Sequence, residues 1–473
     1  MHVVSNRDSV TRGNDYGRMP KKFYLERELS MDFSRRHFMV GAGALAAAPA
    51  ILGDAKAARK IFKVGLVGCG GRGCQWRGGV CGQMVDGKWR GGGAIHDISM
   101  AAERLGCRVQ LVAAADFDRQ HAIDVCRRYG VDEKMAFGGA DGYKKVIATD
   151  CDIVLLCAPP IFRARHAAAC VAAGKHIFAE KPIATDPRGI RDFLKTVADA
   201  KAKNLSILSG TLHRHSNRFL KQIGPIRNGV IGKIMAGRVY RCHGSMWVRP
   251  RRPEDTNASY LANNWYHFWE MSGDQVTEQA IHEVDLANWF IGRAPIRAFG
   301  MGARWRRPVG IGDIYDEIAI DYDYGEELHV STFGRHMDGC ANLFGTRLVG
   351  TEGEISLGGR IKRFDGKPVL EDLAATAGRD DNGLIMEHAD FLSGLLTGNP
   401  INEGEQVAMS TATCVMGTLA AYSGRQVKMT DILSNERSEF YNGWNAAFTA
   451  QTFEETDDVP LPKEGFGIVP GRG

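Results

Sequence analysis

Apolar residues fall in short continuous runs through the first half of the chain and in alternation through the second. Phe62, Val64, Leu66 and Val67 make one run of strand length, and residues 109–115, 152–158 and 176–179 repeat it. Runs of this kind belong to strands buried on both faces. Helix is expected between them at residues 95–105 and again at 163–173, where Gly174 closes it. Strand, helix and strand joined by short connections imply a right-handed parallel sheet. Beyond residue 232 the pattern changes. Residues 233–246, 296–307, 314–335 and 347–358 alternate, with turn residues at Asp323-Tyr324-Gly325 and Thr351-Glu352-Gly353, so hairpins and a largely antiparallel open sheet are expected. Residues 382–421 read as two helices broken at Gly398-Asn399-Pro400 and stopped at Gly424. The polar tail beyond Met429 is expected to wrap a partner subunit or to hang free.

Directly after the first strand lies Gly68-Cys69-Gly70-Gly71-Arg72-Gly73, a G-x-G-x-x-G spacing. The first glycine permits a tight turn, the second lets backbone approach a pyrophosphate, and the third lets a helix pack on the strand. The fold class expected is therefore α/β, an N-terminal Rossmann dinucleotide-binding domain followed by a C-terminal α+β domain. Residues 74–94 are rich in Gly, Trp and Arg, where such a unit ordinarily carries an uninterrupted helix. They read as an insertion, and Asp116 then ends the second strand, where an acidic residue holds the adenosine ribose. Asp118 is the better helix cap of the neighbouring pair. Ala158, Pro159 and Pro160, and Glu180 with Lys181, stand just past the carboxyl ends of later strands, where open α/β sheets bind their ligands.

The second chemical stretch is residues 273–292. At helical spacing Glu278, His282, Asp285 and Trp289 share one face, beside an apolar stripe of Val276, Ala280, Val284 and Ala287. A solvated face with a weak Glu278–His282 pair would explain this without any chemistry. In Gly210-Thr211-Leu212-His213-Arg214-His215, Arg214 and His215 are candidates for hydroxyl or carboxylate contacts, or else a basic surface loop. Tyr266, within an aromatic-rich segment, is a candidate face for a sugar ring.

A chain of 473 residues exceeds what one core usually supports. The divisions expected are an N-terminal extension at 1–57, a Rossmann domain at 58–212, a substrate and oligomerisation domain at 213–430 and a tail at 431–473. A formal charge of +5 with no basic block interleaved with aromatics argues against nucleic acid. Eleven scattered cysteines with no C-x-x-C argue against a structural zinc, and no metal is expected. Near the N-terminus, Arg35-Arg36 precedes an apolar run at 40–52 and Ala55-Lys56-Ala57. This resembles a twin-arginine export signal, too short to span a bilayer as a helix. A periplasmic or secreted protein beginning near Ala58 is expected, with Met31 an alternative start to Met1.

The run Asp-Ile-Val-Leu-Leu-Cys-Ala-Pro-Pro, then His166, Gly174-Lys175-His176 and Glu180-Lys181-Pro182, all after the glycine motif, resembles the glucose-fructose oxidoreductase and inositol dehydrogenase family, Gfo/Idh/MocA. The likeness extends from Lys60 to about Met429. It implies that Lys181 stands beside a nicotinamide and the reacting carbinol. His282, in an H-x-x-D-x-x-x-W pattern similar to the family's catalytic helix, would face it. Asp285 would act or orient, and Glu278 stands where several members have aspartate. The implied activity is hydride transfer between NAD and a secondary hydroxyl of a carbohydrate, whether sugar, glycoside or cyclitol, by a homo-oligomer. Asp116 favours NAD over NADP, against the nearby Arg119. Two alternatives share the pocket: a glycoside hydrolase that recycles bound NAD through transient oxidation, and a non-catalytic sugar or nucleotide sensor. Replacing Arg35 and Arg36 by Lys is expected to retain the precursor in the cytosol, checked by fractionation; unchanged distribution would contradict the export signal.

Overall fold

The computed structural model describes residues 60–77, 80–81, 83–85, 88–90, 92–307, 310–442 and 448–463. The twin-arginine pair and the expected cleavage site lie outside the described residues. Six strands, β1 (Ile61–Val67), β2 (Arg108–Asp116), β3 (Ala136–Gly138), β4 (Ile153–Leu156), β5 (His176–Ala179) and β6 (Ile207–Ser209), form one sheet in the order β6-β5-β4-β1-β2-β3. Every pairing in it is parallel. The chain leaves β1 toward one edge through β2 and β3, then returns to the other side of β1 at β4. At such a reversal the loops beyond the strand ends part and leave a crevice. Val64, Leu66, Ile153 and Leu155 are fully buried, as strands covered by helices on both faces require.

The helices of this unit are α1 (Ala94–Arg104), α2 (Arg119–Arg128), α3 (Pro160–Ala172) and α4 (Pro187–Ala202). Asp118 caps α2 by accepting from the Gln120 amide at 2.9 Å. The helix that would ordinarily leave the glycine loop is a single turn, Gly71–Cys74. Two short hairpins follow, Trp76–Arg77 with Val80–Cys81 and Gln83–Val85 with Lys88–Arg90, before helix resumes in α1.

The second sheet has eight strands, β7 (Ile234–His243), β8 (Arg297–Ala303), β9 (Glu317–Asp323), β10 (His329–His336), β11 (Leu343–Gly350), β12 (Gly353–Ile355), β13 (Ile361–Arg363) and β14 (Val427–Lys428). Their order is β13-β12-β11-β7-β10-β9-β8-β14. All pairs are antiparallel except β7 with β10. The alternating stretch at 314–335 thus contains two strands, separated where Gly325, Glu326 and Glu327 take positive φ. One face of the sheet receives the helices α5 (Ile281–Ile291) and α7 (Gly404–Ser423). On the other, Phe299, Met301 and Phe333 are 47%, 61% and 37% exposed. No helix of the described residues is long and apolar enough to cross a membrane.

Chain order and packing part company after the second sheet. Helix α6 (Gly383–Leu396) places Ile385, Phe391 and Leu392 in the same buried cluster as Phe62, Leu66, Phe178 and Leu208 of the first sheet. Residues 401–403 then run along its edge, where the Ile207 amide donates to Ile401 O at 3.1 Å and the Glu403 amide to Ile207 O at 2.8 Å. The described part of the polar tail packs on its own chain rather than hanging free. Phe448 and Phe453 are buried, and Glu454 accepts from Lys144 Nζ at 2.6 Å and Arg165 Nε at 2.7 Å. Polar composition concealed two aromatic anchors.

Phe391→Ala is expected to lower stability by about 3–5 kcal/mol. Hydrogen exchange should then accelerate in β5 and β6; acceleration confined to the second sheet would contradict this placement of α6.

Candidate active site

Loops at the carboxyl ends of the first sheet and one helix of the second unit carry the candidate residues. The glycine loop comes first. Gly68 has φ +92°, and a Cβ there would lie 2.3 Å from Ala158 N; a Cβ on Gly73 would lie 1.9 Å from Gly68 O. Both positions therefore require glycine. Gly70 and Gly71 have nothing within 4 Å of such a Cβ, so backbone faces open space between two tight contacts. This shape suits a pyrophosphate. Asp116 accepts from the Cys69 amide at 2.7 Å, the Asp118 amide at 3.0 Å and His121 Nδ1 at 3.2 Å. The carboxylate at the end of β2 thus holds the first turn of the loop. Pro159 caps α3 and Pro160 begins it, where a missing N–H leaves no bond unmade.

The second loop follows β5. Glu180 is buried and takes the Arg72 guanidinium on one oxygen and the Lys181 amide, at 3.3 Å, on the other. Arg163, buried on α3, donates one terminal nitrogen to Lys181 O at 2.7 Å and Pro182 O at 2.6 Å. Burial pulls this guanidinium below its ordinary range while Glu180 and Glu278 oppose the shift. Arg163 fixes the backbone from which Lys181 projects, and neither spacing nor composition marks it. Lys181 Nζ donates to Glu278 Oε1 at 2.9 Å and to Glu278 O at 2.5 Å.

Residues 273–292 are not one regular helix. A π turn, Val276–Ala280, precedes α5. Its wider register takes Glu278 out of the α-helical row expected with His282 and Asp285, and turns of this kind are frequent at functional sites. Glu278 goes to Lys181. His282 lies with its ring centroid 5.7 Å from that of His213, and neither imidazole has a hydrogen-bond partner among the described residues. Burial first, then the Lys181 charge and His213, hold His282 well below the ordinary histidine range. Burial also takes His213 down to about 4. Both rings are neutral at pH 7, and each offers one donor and one acceptor.

Asp285 and Trp289 turn elsewhere. Asp285 accepts from Arg214 Nε and a terminal nitrogen, both at 2.8 Å, and from Ser410 Oγ at 2.6 Å. Arg214 also reaches Gln406 Oε1 at 3.1 Å and lies over the Trp289 ring at 5.3 Å. The Asp285–Arg214 pair is buried. His215 is buried between Asp390, at 2.7 Å, and Glu403, at 3.4 Å. Burial opposes its charge, but Glu403 and Asp390 push it up to about 10. The structure pairs Arg214 with Asp285 and His215 with Asp390 and Glu403, not directly with Lys181 or His282. Neither belongs to a basic surface loop, because each is buried with carboxylate partners. The residue of this turn that joins His282 is His213, in the same six-residue stretch. Tyr266 is buried with its hydroxyl 3.3 Å from His336 Nε2, and its ring stands 5.5 Å from Trp247. It belongs to an aromatic wall. No group of three or more His, Cys, Asp or Glu side chains among the described residues is arranged to hold a metal ion.

Two family models match the chain. The oxidoreductase family with an NAD-binding Rossmann fold, GFO_IDH_MocA, covers residues 62–207, and the GFO/IDH/MocA C-terminal domain covers 224–356. Inositol 2-dehydrogenase of Rhizobium meliloti is 26% identical over 231 residues, 49% of this chain and 62% of the relative. The match spans about half to three fifths of the length of the inositol dehydrogenases it resembles. The WlbA dehydrogenase of Bordetella pertussis, solved with NADH and UDP-GlcNAcA, is 20% identical at a TM-score of 0.55, covering 78% of this chain and 99% of that one. Levoglucosan dehydrogenase, solved with NADH and levoglucosan, is 18% identical at a TM-score of 0.57, covering 78% and 100%. At these identities the structural likeness is one of fold.

Asp285→Ala strands a buried guanidinium and is expected to lower stability by about 3–5 kcal/mol. Urea unfolding checks this. A variant as stable as wild type would show that Asp285 does not serve the interior pair.

Proposed function

The chain belongs to the Gfo/Idh/MocA oxidoreductase family, and on that premise we propose that it moves a hydride between NAD on the glycine loop and a secondary carbinol of a sugar, glycoside or cyclitol, with Lys181 and His282 handling the proton. The observation that carries this reading is an ammonium tethered to Glu278 whose charge acts on a neutral, unpartnered His282 imidazole set against His213. When bound, NAD supplies the hydride acceptor. Two of the three Lys181 donors are spent on Glu278, so the third is free for the carbinol oxygen. As negative charge grows on that oxygen, the ammonium stabilises it. His282 accepts the hydroxyl proton, and its suppressed basicity keeps it in the accepting form at neutral pH. His213 offers a second hydroxyl its own donor and acceptor, which suits a polyhydroxylated ring.

The names of the relatives support that substrate class: an inositol dehydrogenase, and dehydrogenases solved with levoglucosan or UDP-GlcNAcA. Asp116, at the end of β2, would take the ribose hydroxyls and repel a 2′-phosphate. The exposed row of Phe299, Met301 and Phe333 is the surface proposed for pairing with a second copy. Export through Arg35 and Arg36 remains part of the proposal.

Lys181→Met and His282→Ala are each expected to reduce kcat/KM by about 10²–10⁴, with NAD binding kept by His282→Ala. Because the folded His282 pKa lies well below 6.5, its protonation removes the base only at more acid pH. The oxidation rate should therefore show no His282 inflection near pH 6.5 and should fall only well below it. An inflection at 6.5 that disappears in His282→Ala would contradict the assignment.

A further inference from the structure

The glycine loop has an anchoring problem. Its helical turn is four residues long, Gly71–Cys74, before the inserted hairpins interrupt it. A helix that short does not hold its own geometry. Arg72 sits within this turn, and each of its three nitrogens meets a different carboxylate. One terminal nitrogen donates to Asp97 Oδ2 of α1 at 2.8 Å, the other to Glu387 Oε1 of α6 at 3.0 Å, and Nε donates to Glu180 Oε1. Glu180 in turn takes the Lys181 amide at 3.3 Å. The three acids are buried, Glu387 completely.

Three carboxylates around one guanidinium carry more negative charge than the cation balances, and a buried excess is costly. Burial, aided by Glu180, pushes the Glu387 carboxyl well above its usual range, against the pull of Arg72. Its second oxygen has no partner among the described residues. Glu387 is therefore more than a counter-ion, since Asp97 and Glu180 already supply that charge. Its distinctive contribution is an acceptor presented from α6, a helix embedded in the core of the first sheet and 315 positions along the chain from Arg72.

We infer that Glu387 is a positioning residue for the dinucleotide: by holding Arg72 from α6 it sets the glycine turn that receives the pyrophosphate and, through Arg72 and Glu180, the backbone of Lys181. The role rests on the reading that NAD occupies this loop. It replaces the anchorage that an uninterrupted helix would give. By linkage, a cofactor that tightens the turn must also tighten α6.

Glu387→Gln keeps the acceptor, whereas Glu387→Met keeps the approximate size and removes it. Titration with NAD, followed by calorimetry, should give a Kd within about twofold of wild type for Gln and at least tenfold weaker for Met, with more lost in KM for NAD than in kcat. Hydrogen exchange on the wild-type protein supplies a measurement that needs no variant. Adding NAD should slow exchange in residues 68–74 and in 383–396 together. Equal Kd values for the Gln and Met variants, or protection of the loop with α6 unchanged, would overturn the inference. A wild-type protein that binds no NAD would instead sink the reading on which it rests.

Discussion

The tie between Lys181 and Glu278 is the interaction on which the site depends, because it joins the end of β5 to the π turn ahead of α5. Each side of that tie is braced separately. Arg163 fixes the carbonyls around Lys181, and Gln279 Nε2 donates to the second Glu278 oxygen at 2.8 Å. Arg241, on β7, reaches Gln279 Oε1 at 2.6 Å and Glu283 at 3.0 Å. The ammonium is thus positioned by both sheets at once. A buried ion pair contributes little net stability once desolvation is counted. Its contribution is geometric: it fixes a cation with one donor left unspent, and the charge of that cation lowers the proton affinity of the His282 imidazole.

Much of the first unit could be read from the chain because parallel strands buried on both faces leave unbroken apolar runs, as residues 61–67 and 176–179 do. The glycine spacing was equally legible, since Gly68 and Gly73 are positions no other residue can fill. The geometry of residues 273–292 was not. Placing Glu278, His282 and Asp285 in one row assumes a constant helical period, and the π turn breaks that assumption without disturbing the apolar stripe. Glu278 and Asp285 consequently take different partners, one Lys181 and the other Arg214.

The same limit applies to charges. Arg214 and His215 looked like pocket residues because they sit in a short polar loop, yet Asp285, Asp390 and Glu403 draw them inward. Their partners lie 71, 175 and 188 positions away. Nothing in local pattern can predict a contact at that separation. Helix α6 is the larger instance: its apolar period announces that it buries a face, and only the fold shows that the face belongs to the first sheet. The insertion after the glycine loop and the return of α6 are two departures from a plain Rossmann unit, and Arg72 is where they meet.

In the proposed reaction a carbinol hydride leaves for NAD while Lys181 and His282 handle the proton. The most direct measurement is transfer of label from a panel of polyols and glycosides deuterated at their ring carbinol carbons, with NADH recovered and examined by mass spectrometry. Deuterium in the NADH, formed with a primary kinetic isotope effect and abolished in Lys181→Met while NAD still binds, is the result this account predicts. NADH that forms without label from substrates deuterated at every carbinol carbon would contradict it.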